Sequence, residues 1–225
     1  GQVMRAIKTH LRSGFTLIEL MIVMAVVAVL LMVVAPSFRD LMEVQRVRGV
    51  SDGFITDVQF ARTEAASRQE VVGISFKPPA AANTCYIVHT CGSSLPANCK
   101  CDCSAAAGSR CPDPLVVSDP PREIRTVQLG DSAVNLIPVL ANGNPVNPAV
   151  TSPTSISFDP ATGAMTAHYP IGFLVTGKPL GGAFWAKVSS QLAGSTVILR
   201  DVVSTSGRPS TCKPSGSTIG GAASC

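Results

Sequence analysis

Apolar positions change their spacing along this chain, and each spacing predicts a different element. From Leu20 to Ala35 sixteen residues, LMIVMAVVAVLLMVVA, are apolar without a break. Phe15, Thr16, Leu17 and Ile18 extend the run to about 20 residues, the length at which a helix crosses a bilayer. Beyond Pro36 the pattern turns amphipathic: Val47, Val50, Phe54, Val58, Ala61 and Ala65 recur every three or four positions, with Arg48, Asp52, Asp57, Arg62 and Glu64 mostly on other faces. One helix from Phe15 to about Arg68 is predicted, roughly 80 Å long at 1.5 Å per residue, its second half lying on a domain surface. Pro36 is the expected bend, and Gly49 and Gly53 are softer points.

After residue 70 the runs shorten and alternate, which predicts strands: Val71 to Phe76, Tyr86 to Thr90, Ile124 to Leu129, Val134 to Leu140, Ser155 to Phe158, Met165 to Tyr169, Gly172 to Thr176, Phe184 to Ser189 and Thr196 to Val203. Asn142-Gly143 favours a tight hairpin, and Asp159-Pro160-Ala161-Thr162-Gly163 presets a turn with proline and closes it with glycine. The expected fold class is α+β, a long N-terminal helix packed on an antiparallel β-sheet domain.

Charge decides what the apolar run is. Arg5, Lys8 and Arg12 stand before it, and Glu19 is the only acidic residue among the first 39. The positive-inside rule therefore keeps the N-terminus cytoplasmic and sends the body outward. A secretory signal peptide fits less well, because its apolar region is shorter and uncharged, and Pro36 follows the place where cleavage would fall. Glu19 costs up to ~2.5–3.5 kcal/mol near a bilayer centre and less toward an end. Cutting the chain between Gly14 and Phe15 would supply an ammonium as its partner; snorkelling to the headgroups is the alternative.

The string GFTLIELMIVMAVVAVLLMVVAPSF, Gly14 to Phe38, resembles the processing site and transmembrane helix of type IV prepilins and type II secretion pseudopilins. The resemblance implies a type IV pilin-like fold. By it Gly14 precedes the scissile bond, Phe15 becomes the N-methylated first residue, Glu19 matches the family's fifth-position glutamate, and Pro36 matches a helix-kinking proline. FARTEAASRQ, Phe60 to Gln69, is similar to the helix end of the GspH/FimT branch. SFDPATGAMT, Ser157 to Thr166, and TVILRDVVSTSGR, Thr196 to Arg208, add looser similarity, and the middle of the chain is unmatched. The implied organisation is a cleaved basic leader over residues 1–14, a helix over 15–69 with its transmembrane segment at 15–36, and a β-rich body over 70–225. That body carries a cysteine-rich insertion at 77–123 and a looped tail at 212–225.

Hydrophobic residues make up 46% of the 225, enough for a packed core. The formal charge is +4, but without the leader 15 basic residues face 14 acidic ones, so no strong field toward nucleic acid is expected. The eight cysteines, an even count on the oxidising side of a membrane, read as disulfides. Cys85, Cys91, Cys99, Cys101, Cys103 and Cys111 staple a polar insertion, and the spacing does not choose among their pairings. A zinc site using these thiolates and His89 is disfavoured because Cys-x-Cys-x-Cys lacks the usual ligand spacing. Cys212 and Cys225 are expected to pair and close the tail, like the C-terminal loop of many pilins, for about 3 kcal/mol.

No catalytic constellation, metal or cofactor is expected. His10 lies in the leader, His89 among the cysteines, and His168 in an alternating strand where a structural role is expected. The functional expectation is an assembly subunit: a minor pilin that initiates or tips a type IV pilus for adhesion, twitching motility or DNA uptake. The alternatives are a GspH-like pseudopilin of type II secretion and a DNA-binding pilus subunit for natural transformation. For the last, Arg200, Arg208 and Lys213 are the candidate phosphate contacts. Gly207-Arg208 is followed by Pro209 and Ser210, so the second arginine of the family's Gly-Arg-x-Arg motif is missing. Expected partners are other pilin subunits, the prepilin peptidase, the inner membrane and, weakly, DNA. The expected location is single-pass in the inner membrane with a periplasmic body, then a filament at the cell surface.

Overall fold

A computed structural model describes residues 14–77, 84–92, 99–111, 118–144, 154–169 and 182–225, without the side chains of residues 35, 36 and 131. The basic leader residues Arg5, Lys8 and Arg12 and the strand expected at Gly172 to Thr176 lie outside the described residues. The chain forms two units, residues 1–42 and residues 43–225.

Helix α1 runs over Leu17–Arg68, 52 residues. In the first unit its Leu17–Val34 segment has a mean hydropathy of 3.1 and is wholly exposed, as expected of a segment that meets lipid. Helical backbone continues through Pro36, whose side chain lies outside the described residues, and through Gly49 and Gly53. The helix stops where Gln69 turns to φ 55°, and Arg68 pairs with Glu64 one turn back at 2.5 Å.

The second unit joins the C-terminal part of α1 to two antiparallel sheets. Strands β1 (Val72–Phe76), β2 (Cys85–Thr90), β3 (Glu123–Gln128), β5 (Ser155–Phe158) and β6 (Met165–His168) form one, in the order β3-β2-β1-β5-β6. Strands β4 (Val134–Val139), β7 (Phe184–Ser190), β8 (Ile198–Val203) and β9 (Pro209–Cys212) form the other, in the order β4-β7-β8-β9. The antiparallel β body expected is divided between two sheets, and β9 was not among the strands expected. Proline opens β9, which suits an edge strand because proline donates nothing to a ladder.

Both turn signals form turns. Asp159 Oδ1 accepts the N–H groups of Ala161 (3.1 Å) and Thr162 (2.8 Å), and β5 meets β6 across it. At Asn142-Gly143 the Gly143 N–H donates to Leu140 O at 2.8 Å, and residues 145–153 lie outside the described residues.

The helical stripe is the core. Val47, Phe54, Val58, Ala61 and Ala65 are fully buried in one cluster with Ile74, Tyr86 and Ile156 of the first sheet and Leu136, Phe184 and Leu199 of the second. Val50 is half-buried. Phe54 meets Phe76 and Tyr86 edge-on, at 5.7 and 5.5 Å between ring centroids, and Phe76 stacks on Phe184 at 5.0 Å. Each such ring pair contributes ~0.5–1.5 kcal/mol beyond area burial.

Two polar residues interrupt the stripe. Asp57, placed by the sequence pattern mostly away from the core, is buried, because Tyr86 Oη donates to one carboxylate oxygen (2.7 Å) and Arg125 Nη1 to the other (2.7 Å). Ser51 donates to buried Asp201 of β8 at 2.5 Å, and Thr211 of β9 donates to the same oxygen at 2.8 Å.

Phe54→Ala should lower unfolding stability by ~3–5 kcal/mol, since Phe54 touches both neighbours in the aromatic group and its site cannot collapse. Val50→Ala should cost clearly less, and urea unfolding of the full chain in detergent would measure both.

Candidate functional site

Gly14 and Phe15 precede the helix, and Phe15 is 82% exposed. Thr16 caps the helix: its Oγ1 accepts the Glu19 N–H at 3.3 Å, and its carbonyl accepts the Leu20 N–H at 3.2 Å. Glu19 is thereby the third residue of the helix, at the end where the backbone dipole favours a negative charge. Sequence reading passed over Thr16, although Thr16-Leu17-Ile18-Glu19 has the capping-box spacing. Glu19 thus gains stabilisation from the helix end in addition to any ammonium on Phe15.

The structure brings the insertion cysteines together as Cys85–Cys103, Cys91–Cys99 and Cys101–Cys111. Because β2 lies between β1 and β3, the excursion proper runs from Cys91 to Arg122 rather than over the whole of 77–123. Cys85, Cys101 and Cys103 pack with Ile87 in a small second core. Gln128 Nε2 donates to Cys103 O at 2.8 Å and Arg110 Nη1 to Glu123 Oε1 at 2.6 Å, so β3 carries the stapled segment.

His89 is buried at its root. Ser75 Oγ accepts the Cys101 N–H (3.2 Å) and donates to His89 Nε2 (2.7 Å), while His89 Nδ1 donates to Thr90 O (3.2 Å). Opposite it in the ladder is Gly73, where a Cβ would lie 2.9 Å from the ring, so glycine makes the room. Burial pushes the imidazole pKa down to about 4 against a weaker opposing hydrogen bond to Thr90, which keeps the ring neutral. His89, Cys91 and Cys99 place ligand-type atoms within 4.8 Å of one another. The two sulfurs are bonded to each other, which removes the thiolates that a soft metal needs. His168 is half-buried beside Ser157 Oγ (2.9 Å), a structural setting.

The tail is folded, not merely looped. Cys212–Cys225 closes it, Lys213 N–H donates to Ala223 O at 2.7 Å, and Cys225 N–H donates to Lys213 O at 3.0 Å. Ile219 enters the core, and Arg48 of α1 donates to Gly220 O. Arg200 and Lys213 border a cleft of about 500 Å³ beside this loop. Arg208 does not line it; it sits in the turn between β8 and β9, at the far end of that hairpin from the Arg200–Cys212 pair.

A family model described as the prokaryotic N-terminal methylation motif matches residues 10–35, and one described as type II transport protein GspH matches residues 51–194, more than half of the chain. Among solved structures the chain is similar to the type IV minor pilin FimU of Pseudomonas aeruginosa, at 11% identity over 76% of this chain and 90% of that one, with a TM-score of 0.41. A comparison with curated proteins found no match.

Two buried groups set opposite pH dependences. Burial raises the Asp201 pKa from 3.8 to about 6, against the hydrogen bonds from Ser51 and Thr211, so the fold gains stability as pH falls through 6. His89 stays neutral in the fold to about 4, whereas an unfolded histidine protonates below 6.5, so the fold loses stability over that range. The two contributions nearly cancel between pH 6 and 4. Asp201→Asn should remove the gain, so that its stability relative to the parent chain falls by on the order of 2–3 kcal/mol between pH 7.5 and 4.5. Denaturant unfolding across that pH range would read it.

Replacing Cys212 and Cys225 together by serine should cost ~3 kcal/mol and release the tail, read as a lower melting temperature with faster hydrogen exchange at Ile219.

Proposed function

The chain belongs to the GspH family of type II transport proteins, and from that premise we propose that it is a minor pilin, an assembly subunit that starts or tips a type IV pilus. The coarser statement, a membrane-anchored minor pilin or pseudopilin, follows from family membership together with the N-terminal methylation motif. One observation carries the finer reading. The described residues between Cys91 and Arg122 lie in no strand and are stapled by two disulfides of their own and a third to β2, bulk that a shaft subunit surrounded by copies would have to exclude.

In this reading the prepilin peptidase cuts after Gly14 and Phe15 becomes the N-methylated terminus. Glu19, held in the first helical turn, then pairs with an ammonium in its own or a neighbouring chain. The apolar Leu17–Val34 segment holds the subunit in the inner membrane and afterwards packs against other pilin helices, with Pro36 adjusting its path. The body lies in the periplasm, where four disulfides are stable, and then at the cell surface.

A second reading, a pseudopilin of the type II secretion system, is favoured by the description of the matching family. DNA binding through Arg200, Arg208 and Lys213 has less support, since Arg208 stands apart from the other two.

Intact mass of the membrane-extracted protein should show a chain beginning at N-methyl-Phe15 that gains about eight hydrogens on reduction of its four disulfides. Gly14→Trp should retain residues 1–14, and Glu19→Val should leave an inserted but unassembled subunit. A mature chain that keeps its leader would sink the reading. Deleting the gene separates the two filaments: loss of surface pili supports the minor pilin, and loss of secreted enzymes with pili intact supports the pseudopilin.

A further inference from the structure

The turn that follows β4 carries chemistry that filament assembly does not use. Leu140 N–H donates to Asn144 O at 2.9 Å across it, and Gly143 N–H donates to Leu140 O at 2.8 Å. Gly143 closes the turn at φ 86°, a backbone conformation that favours glycine. Asn142 is exposed, yet its side chain is held: Oδ1 accepts the Asn144 N–H at 2.9 Å. A bond of this span folds the asparagine amide back along the intervening peptide and polarises its carbonyl. Those are the two conditions for attack on Asn142 Cγ by the Gly143 nitrogen.

Arg200 of β8 completes the setting. A Cβ on Gly143 would collide with its Nη2, so the guanidinium lies directly against the glycine backbone, and Nη1 points at Ala141 O (3.5 Å). A fixed positive charge there favours negative charge developing on the Gly143 nitrogen and on Asn142 Oδ1. Lys187 of β7 stands directly opposite Arg200, an arrangement of like charges that is unfavourable on adjacent strands. None of the four ion pairs among the described residues involves either of them. The sequence confines the chemistry to one position of the turn. Gly143 offers an amide hydrogen and no side chain to hinder attack, whereas Asn144 is followed by Pro145, whose nitrogen has no hydrogen to lose.

We propose that Asn142 is a self-modification site, where the side-chain amide is lost as ammonia and a carboxylate appears beside Arg200. The Gly143 N–H leaves Leu140 O and gives its proton to water. The nitrogen then attacks Asn142 Cγ and closes a five-membered imide, the Cγ–Nδ2 bond breaks, and Nδ2 departs as ammonia with a proton returned by water. A further water molecule opens the imide at either carbonyl, which leaves an aspartyl or an isoaspartyl residue at position 142. No electrons are exchanged, and water is the sole co-reactant. The product replaces a neutral amide by a negative charge next to the Arg200 and Lys187 pair. The inference does not depend on which filament the subunit joins.

Ageing of the full chain in detergent, in mildly alkaline buffer with its disulfides intact, tests it, with a parallel sample unfolded in urea. Peptide mapping reads the gain of one mass unit and the isoaspartyl content in the peptide that spans position 142. Conversion in the folded chain is expected to run no slower than in urea. Arg200→Gln should slow it about two- to fivefold in the folded chain, the weight of one partly exposed charge, and leave the rate in urea unchanged. Asn142→Gln, which would need a larger ring, should abolish the gain, and circular dichroism confirms that each variant is folded. Three results would overturn the proposal: an amide that survives in the folded chain while urea exposes it to loss, a folded rate that Arg200→Gln leaves unchanged, or a gain that persists in Asn142→Gln.

Discussion

One turn and a half of helix α1, from Ser51 through Phe54 to Asp57, fixes the body of this protein. The three residues are spaced by three and share a face, and each meets a different part of the β structure. Ser51 donates to Asp201 in the second sheet, Asp57 receives Tyr86 and Arg125 from the first, and Phe54 lies between them against Phe76 and Tyr86. Tyr86 belongs to both systems, with its ring in the aromatic group and its hydroxyl on Asp57. Burial and that carboxylate raise its pKa, so it remains a hydrogen-bond donor. Apolar packing sets how deep the helix lies, and the two polar contacts set its rotation and register, since a shift of one residue would strand two buried carboxylates.

That helix face was legible in the sequence only in its apolar half. The spacing of Val47, Phe54, Val58, Ala61 and Ala65 needs no partner to be read, because period alone marks a buried stripe. Asp57 read as a surface residue by the same rule, and Ser51 carried no signal in it. Their partners lie far along the chain, Asp201 for Ser51 and Arg125 for Asp57, and nothing local announces them. Strands behaved alike: those with alternating apolar residues were located, whereas β9, Pro-Ser-Thr-Cys, has no such pattern and owes its place to pairing with β8. The division into two sheets depends on pairing order, which periodicity does not encode.

The charged cleft was half legible. Arg200 and Lys213 are unremarkable along the chain, and Arg208 seemed their natural companion by proximity in sequence. Strand register sorts them differently: Lys187 stands opposite Arg200 on one side, Lys213 follows Cys212, its partner on the other, and Arg208 is carried to the far end of the hairpin. Thr16 is the contrary case, a helix cap readable from four consecutive residues.

Three of the four disulfides fall in or beside the excursion, which the main apolar core does not support. The main cluster includes strands of both sheets and Ile219 of the tail, whereas none of the described residues between Cys91 and Arg122 belongs to it, and the second small core is built largely of cysteine itself. Short polar loops lose too much conformational entropy to stay ordered by hydrogen bonds alone, and each closed loop withdraws on the order of 2–4 kcal/mol of that cost from the unfolded chain. The sheets and helix can therefore hold without oxidation, while the excursion and the tail depend on it. Oxidation of the cysteines thus matters most to the excursion and the tail, whose loops the disulfides close. The buried neutral His89, bonded through Ser75 to the Cys101 backbone, is the point where the stapled segment is tied to the part of the fold that would stand without it.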